Sequence, residues 1–395
     1  MKRFLVFSLV VLVLSALVMA GCAAPSPAPA PAPAPAPSPA PAPAPKPAAS
    51  PAPAPATAPA QKVIELKFAH FQSPTSYANI NFLHPWAKKI EEATKGKVKV
   101  TEYPAETLAK EKETVTAVET GIADIGWVSI SNIRGRFPLA EVTGLPFMGI
   151  SGGKDEKGNA LSIGKANSLV AWELYQNLPE MQKEFSSVKV LFTHNTELVN
   201  IVTTKKPVRN LEDLRGMKLR STAGLLTELV KQLGATPVPI PLGEVYEAAQ
   251  KGVIDGAAAN TGQIINSRLY ELLRYKTDIN LGITTMFAMI MNLDKWNSLP
   301  PDVQEGLQSV TGRAGAEFAG EAGYGFGLRQ ALEDAMKKGG YKWEIVSASP
   351  EEAERWKAIA GKPMWDTWLK EMQSKGLAGQ KAFDELLRLQ KKYQG

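Results

Sequence analysis

The chain has 395 residues, with 45 Lys and Arg against 39 Asp and Glu, and a single cysteine. Three of the basic residues, Lys2, Arg3 and Lys46, precede Gln61, so the sequence beyond carries 42 basic and 39 acidic side chains, a net charge of +3. So mild a balance, without a lysine-arginine block or a basic-aromatic stripe, argues against a nucleic-acid footprint, and the lone Cys22 leaves everything after it without disulfides or thiol chemistry.

Lys2 and Arg3 give the chain a positive start, and Phe4 to Ala20 form an apolar run a little short of the ~20 residues a spanning helix needs. The small residues Ala20 and Gly21 then precede Cys22. Residues 1–21 resemble a bacterial lipoprotein signal, which implies a lipidated Cys22 as the mature N-terminus, although Met19 stands where that signal usually has leucine. An uncleaved anchor is the alternative reading. Both place the rest of the protein outside the cytoplasm, periplasmic or on the outer face, tethered to a membrane. Residues 22–60 are little more than Pro-Ala and Pro-Ser with one charge, Lys46. Such a stretch has nothing to bury; as polyproline II at ~3.1 Å per residue it makes a stalk of at most about 100 Å.

From Gln61 the length favours two domains. Val63 to Phe68 alternates apolar and polar residues and predicts a strand. A loop through His70, Phe71 and Gln72 leads to a helix from about Tyr77 to Lys95, stopped at Gly96, and then to a strand Lys97–Tyr103. A helix Ala109–Thr120 ends at Gly121, before an apolar strand Ile122–Val128. The same arithmetic returns later: strand Gly216–Arg220, helix Ser221–Leu233, strand Thr236–Ile240, helix Leu242–Lys251, glycine stop at Gly252, and a strand opening at Val253-Ile254-Asp255. Strand-helix-strand repeats with short breaks are the signature of parallel sheets. The two series echo each other in sequence, AVETGIADI at Ala117–Ile125 against AAQKGVIDG at Ala248–Gly256, which predicts two similar lobes. A helical region from Val303 to Lys338 is rich in glycine and should bend or break. Ser349-Pro350 reads as an N-cap followed by proline at the first helical position of an amphipathic tail, Glu351–Tyr393.

Four stretches carry a resemblance to a known family. They are Glu119–Asp124 (ETGIAD), Lys206–Arg220 (KPVRNLEDLRGMKLR), Leu233–Tyr246 (LGATPVPIPLGEVY) continuing to Gly252–Gly256, and Asp294–Val303 (DKWNSLPPDV). Over nearly all of Val63–Gly395 the chain resembles the DctP-type solute-binding subunits of tripartite ATP-independent periplasmic (TRAP) transporters. The resemblance implies an α/β, two-lobed periplasmic-binding-protein-like fold, each lobe a mostly parallel sheet flanked by helices, with a long helical region linking them. Lobe I would comprise residues 61–192 and 281–318, and lobe II residues 193–280 and 319–395. It also implies a non-enzymatic receptor that closes on a small organic acid and hands it to TRAP permease subunits in the membrane, with no cofactor.

The residues point to a cleft as well, because ligands of such sheets sit at the carboxyl ends of the strands. Arg220 ends a predicted strand where the family's carboxylate-binding arginine falls, and a guanidinium offers two parallel donors matched to a carboxylate. Ser221 and Thr222 open the expected helix, whose free amides would favour the same anion. The bland alternative is a surface arginine paired with an acid such as Glu212. In the stretch Leu191–Thr204, many family members carry a second arginine near Asn200, and one subgroup has a His-Gly-Pro-Gly turn of which only His194 remains here. Both departures favour a monocarboxylate over a dianionic ligand. His70 and Phe71 after the first strand, and Trp127 and Asn132 after the third, should face the cleft; Phe71 and Trp127 could stack on a ligand ring or pack in the core. Asn260 follows three alanines, Ala257–Ala259, where related proteins have a more polar run.

No metal-ligand spacing, nucleophile elbow, phosphate loop or dinucleotide fingerprint is present in the sequence. Asp124 and Asp255 read as structural strand-entry residues. The competing readings are a binding protein of an ATP-driven importer or a sensor, which neighbouring permease genes would distinguish, and a surface hydrolase, for which no nucleophile-base pair is found.

Overall fold

A computed structural model describes residues 63–222 and 224–394. The leader, Cys22 and the Pro-Ala stretch lie outside the described residues. In chain order the strands are β1 (Ile64–Ala69), β2 (Val98–Tyr103), β3 (Ile125–Ser129), a small hairpin β4 (Gly153–Lys154) and β5 (Ala160–Leu161), β6 (Val188–Asn195), β7 (Asn200–Thr203), β8 (Lys218–Ser221), β9 (Thr236–Pro239), β10 (Gly256–Ala259), β11 (Tyr275–Asp278), β12 (Met286–Asn292) and β13 (Glu344–Ser347).

They form two principal sheets, one per lobe, of order β2-β1-β3-β12-β6 and β9-β8-β10-β7-β11-β13. Within each, three strands run parallel: β2, β1 and β3 in the first, β9, β8 and β10 in the second. The next strand, β12 or β7, is antiparallel to both its neighbours. Those two strands are the ones delivered from the opposite lobe: β6 crosses into β7, and β11 crosses into β12. A chain arriving from the other lobe enters at the facing edge and must run away from it. The parallel strands therefore run toward the junction, and their carboxyl ends face the other lobe. Each sheet is mixed for this reason, and apart from the added β13 the two orders correspond strand for strand.

The sequence echo has a structural meaning. Asp124 Oδ2 accepts from the Lys67 amide of β1 (2.7 Å), and Asp255 Oδ2 accepts from the Lys218 amide of β8 (2.9 Å). The backbone bonds Asp124 N to Lys67 O and Asp255 N to Lys218 O repeat the match. Before each aspartate a glycine ends the helix with positive φ, 74° at Gly121 and 73° at Gly252, a conformation that costs other residues a Cβ clash. Because the aspartate is spent on this clamp, each strand starts later than the apolar pattern predicts, at Ile125 and Gly256.

Buried side chains fill both lobes. Phe68, Trp86, Phe82 and Phe192 pack between the first sheet and helix His84–Ala93; Val202, Val245, Ala257, Ile264 and Leu332 do so in the second lobe. The glycine-rich region breaks into helices Pro301–Ser309 and Gly312–Phe318, a π turn Ala319–Gly323, and helix Phe326–Gly339. Ser349 caps helix Pro350–Trp356, its Oγ accepting from the Glu352 amide. The last helix, Gly379–Gln394, lies against helix Ile163–Asn177, with Asn177 donating to Glu385 (2.8 Å) and Tyr393 donating its hydroxyl hydrogen to Glu173 (2.6 Å).

Candidate functional site

Between the carboxyl ends of the two sets of parallel strands lies a cleft of ≈ 640 Å³. β8 brings Arg220 to its wall. Alternation within the strand turns Leu219 and Arg220 to opposite faces, and both are buried, Arg220 with 3% of its surface exposed. Among the described residues it is the only lysine or arginine that is buried. Its Nε donates to the Ile240 carbonyl (3.3 Å), while Nη1 is buried with no hydrogen-bond partner. Burial lowers its pKa to about 10, against the opposing pull of Glu111, so the group is a cation at neutral pH. Glu212, the acid that might have neutralised it, pairs instead with Arg355 (2.6 Å). A buried guanidinium without a carboxylate is costly unless an anion from outside completes it.

The opposite wall is aromatic. Trp127 of β3 stacks on Phe287 of β12 with centroids 4.2 Å apart and planes 9° apart, and on Phe71, from the loop after β1, at 4.9 Å and 14°. His194 of β6 lies parallel to Trp127 at 6.0 Å and 4°, and Tyr324 stacks on His194 at 5.8 Å. Phe71, Phe287 and Tyr324 line the cleft; Trp127 and His194 form the layer behind. The Trp127 indole donates to His194 Nε2 (2.8 Å). Burial drives the His194 pKa down to about 3, so the ring is neutral and, with Nε2 accepting, carries its hydrogen on Nδ1. Glu111 also reaches the cleft; burial raises its pKa, and Asn132 donates to its Oε1 (2.7 Å).

The sequence model of the DctP family, bacterial extracellular solute-binding protein family 7, matches residues 68–372. The chain belongs to the DctP family. A TRAP solute-binding protein from an unidentified marine-metagenome microbe, specific for aromatic acid ligands and holding metahydroxyphenylacetate, is 30% identical with a TM-score of 0.74, covering 84% of this chain and all of that one. The TRAP solute-binding protein of Rhodoferax ferrireducens T118, in complex with copurified benzoate, is 26% identical with a TM-score of 0.73, over 84% of this chain and 98% of its own. The C4-dicarboxylate-binding periplasmic protein DctP of Rhodobacter capsulatus is 26% identical over 81% of this chain and 90% of its own.

In this DctP-family protein six of the residues singled out from the sequence meet at the cleft: Phe71, Asn132, Arg220, Ser221, Thr222 and Asn260. Their surroundings differ from the expectation. Ser221 is the last residue of β8 and its hydroxyl bonds Thr227 (2.9 Å); the helix begins only at Leu225, after Gly224 at φ 73°. A Cβ at Gly224 would sit 3.0 Å from the Ser131 carbonyl of the other lobe, so the turn is needed to let the lobes meet. Asn260 caps helix Thr261–Asn266, its Oδ1 accepting from the Gln263 amide (2.9 Å).

Four residues lie outside the cleft lining. Trp127 and His194 are buried behind Phe71 and Phe287, because both faces of the first sheet are covered. His70 is buried with its Nε2 3.6 Å from Glu102, pointing away into the β1–β2 layer. Asn200 opens β7 and turns back to donate to the Leu198 carbonyl (3.1 Å). Phe287, Tyr324 and Glu111 were missed. Tyr324 had a signal, since it stands between Gly323 and Gly325 in the region expected to break; Phe287 and Glu111 had none. Among the described residues no group of three His, Cys, Asp or Glu is placed to hold a metal ion.

Proposed function

We propose that the protein is an extracytoplasmic receptor of a TRAP transporter that captures an aromatic monocarboxylate between its lobes and delivers it to permease subunits in the membrane. The observation that carries this reading is Arg220: a buried cation, unpaired at Nη1, facing an aromatic shelf across a cleft. A carboxylate would complete the guanidinium, and an aryl ring would lie on Phe71 and Phe287. Receptors of similar sequence and fold that hold benzoate and metahydroxyphenylacetate support the ligand class. The chemistry needed is binding and closure, which the crossing segments around residues 196–199, 279–285 and 319–325 allow. Lipidation at Cys22 and the Pro-Ala stalk, both outside the described residues, belong to the same proposal: they would keep the receptor at the membrane that holds its permease.

Tryptophan fluorescence or calorimetry with benzoate tests it. Saturable binding in the wild type and its loss in Arg220→Ala is the expected pair of results. Equal binding in both proteins would remove Arg220 from the site, and an exclusive response to sugars or cations would overturn the receptor class.

A further inference from the structure

The cleft continues past its aromatic shelf. A second space of ≈ 380 Å³ adjoins it, sharing Phe71, Gln72, Leu242, Gly243 and Asn266 with its lining. The lobes already touch at several places, among them the Tyr77 amide donating to Asn266 Oδ1 (2.9 Å) and Arg134 pairing with Glu228. These volumes therefore belong to lobes in contact and not to a gaping hinge. The main cleft alone falls in the size range that encloses a drug-sized ligand. A single ring with one carboxylate, held between Arg220 and the shelf, would leave the second space untouched.

The lining of that space states what it can receive. Beyond Phe71 it mixes the apolar surfaces of Leu242 and Tyr246 with the neutral hydroxyls of Ser73, Ser76 and Ser267, and Gln72 stands at the junction. Arg268 at the far end is matched by Glu271, to which its Nε donates (2.6 Å), and offers no spare cation to a second carboxylate. We propose that the ligand is an elongated aromatic monocarboxylate. Its carboxylate sits on Arg220 and its first ring on the shelf. An uncharged substituent, a second ring or a chain bearing hydroxyl or ether oxygen, passes Gln72 into the second space. The proposal rests on the carboxylate reading of Arg220 and extends it.

Ser73 supplies the test. It lines the second space and not the main cleft, and it is exposed. Ser73→Phe can therefore fill the second space without entering the carboxylate site, and an unchanged melting temperature checks that it folds. Calorimetry with benzoate and 4-phenoxybenzoate should give the wild type a preference for the longer acid of about tenfold or more, the value of one further buried ring. Ser73→Phe should erase most of that preference and leave benzoate affinity within about twofold. If the wild type binds the two acids equally, or the variant weakens both alike, the second space is not a subsite, while the receptor reading stands. If neither acid binds, the receptor reading fails and takes this proposal with it.

Discussion

The two lobes share one scaffold and divide the chemistry between them. β1 and β8, β2 and β9, β3 and β10 correspond in order and direction, and each lobe clamps its central strand with an aspartate after a glycine stop. At the carboxyl ends the resemblance stops. The first lobe presents Phe71 and, behind it, Trp127, whereas the second presents Arg220 and Asn260. On the proposed reading, repetition serves stability and divergence serves specificity: a ring platform on one side, a charge on the other, and a complete site only when the halves meet.

The largest expected effect comes from breaking that division on the charged side. Truncating one partner of a desolvated charge pair costs ~2–5 kcal/mol, so Arg220→Ala should weaken aromatic-acid binding by about thirty- to several-thousand-fold. Calorimetry reads this directly, and the thermal stability of the unliganded protein should fall little, because the one bond lost is the long Nε contact to the Ile240 carbonyl and the uncompensated buried cation goes with it. A drop in melting temperature with unchanged affinity would make Arg220 structural.

The shared scaffold predicts the opposite pattern. Asp124→Ala and Asp255→Ala each strand a strand-entry amide, a loss of ~1–3 kcal/mol for a buried donor and less for an exposed one. Asp124 is buried and Asp255 is half-buried, with Lys218 exposed beside it. Denaturant melts should therefore show Asp124→Ala the more destabilised, with ligand affinity per folded molecule unaltered in both. An affinity loss without a stability loss would give these aspartates a role in the cleft.

Much of this duplication was legible in the sequence, because it is local. Glycine stops, apolar runs and the strand-entry aspartates lie within a few residues of one another, and the DctP-like stretches fall on the same elements. The place of Arg220 at the cleft was legible for the same reason, since it lies one residue before the end of its own strand. The aromatic shelf was not: Phe71, Trp127, His194, Phe287 and Tyr324 come from five distant segments, and only the crossing of β6 and β12 between them brings the rings together. Nor could alternation separate cleft from core at Trp127, where every residue of β3 is buried. The helix after β8 was placed too early because Ser221, Thr222 and Gly224 read as a capped start, whereas the closeness of Ser131 in the other lobe demands a turn.

The crossing segments carry an acid of their own. Glu197 is buried between β6 and β7 and accepts from the Gly262 amide (3.0 Å). Burial raises its pKa to about 8, partly offset by bonds from the Gly262 and Thr261 amides and by Lys276 and Arg329. An unfolded glutamate releases its proton near ~4.3. Between those values the folded protein holds a proton that the unfolded chain has lost, so stability falls as pH rises across the window, by at most about 1.4 kcal/mol per unit. Below the window both states are protonated and the slope vanishes. Melting temperatures from pH 7 to 8, above the range where the buried neutral His194 favours higher pH, should decline in the wild type and decline less in Glu197→Gln, which keeps an acceptor for the amides. Parallel slopes would show that Glu197 is ionised in the folded state.

The smallest effect lies where the lobes touch outside the cleft. Arg134, in the loop after β3, pairs with Glu228 on the second lobe's helix Leu225–Gln232, and approaches Glu371 (3.6 Å) and Glu141 (3.8 Å). The guanidinium is more than a third exposed, so each contact is screened and contributes only ~0.2–1 kcal/mol. That energy acts on the balance between open and closed lobes, and a ligand that binds the closed form loses affinity by whatever the closed population loses. Arg134→Gln should therefore raise the ligand dissociation rate by up to about fivefold at low ionic strength. Its association rate should stay near that of the wild type. Salt supplies the control: near ~1 M the Debye length shrinks to ~3 Å, and the wild type should release ligand as fast as the variant. A gap between the two proteins that survived high salt would mean that Arg134 acts through packing, and that the lobes are held together by their shared core and not by this exposed pair.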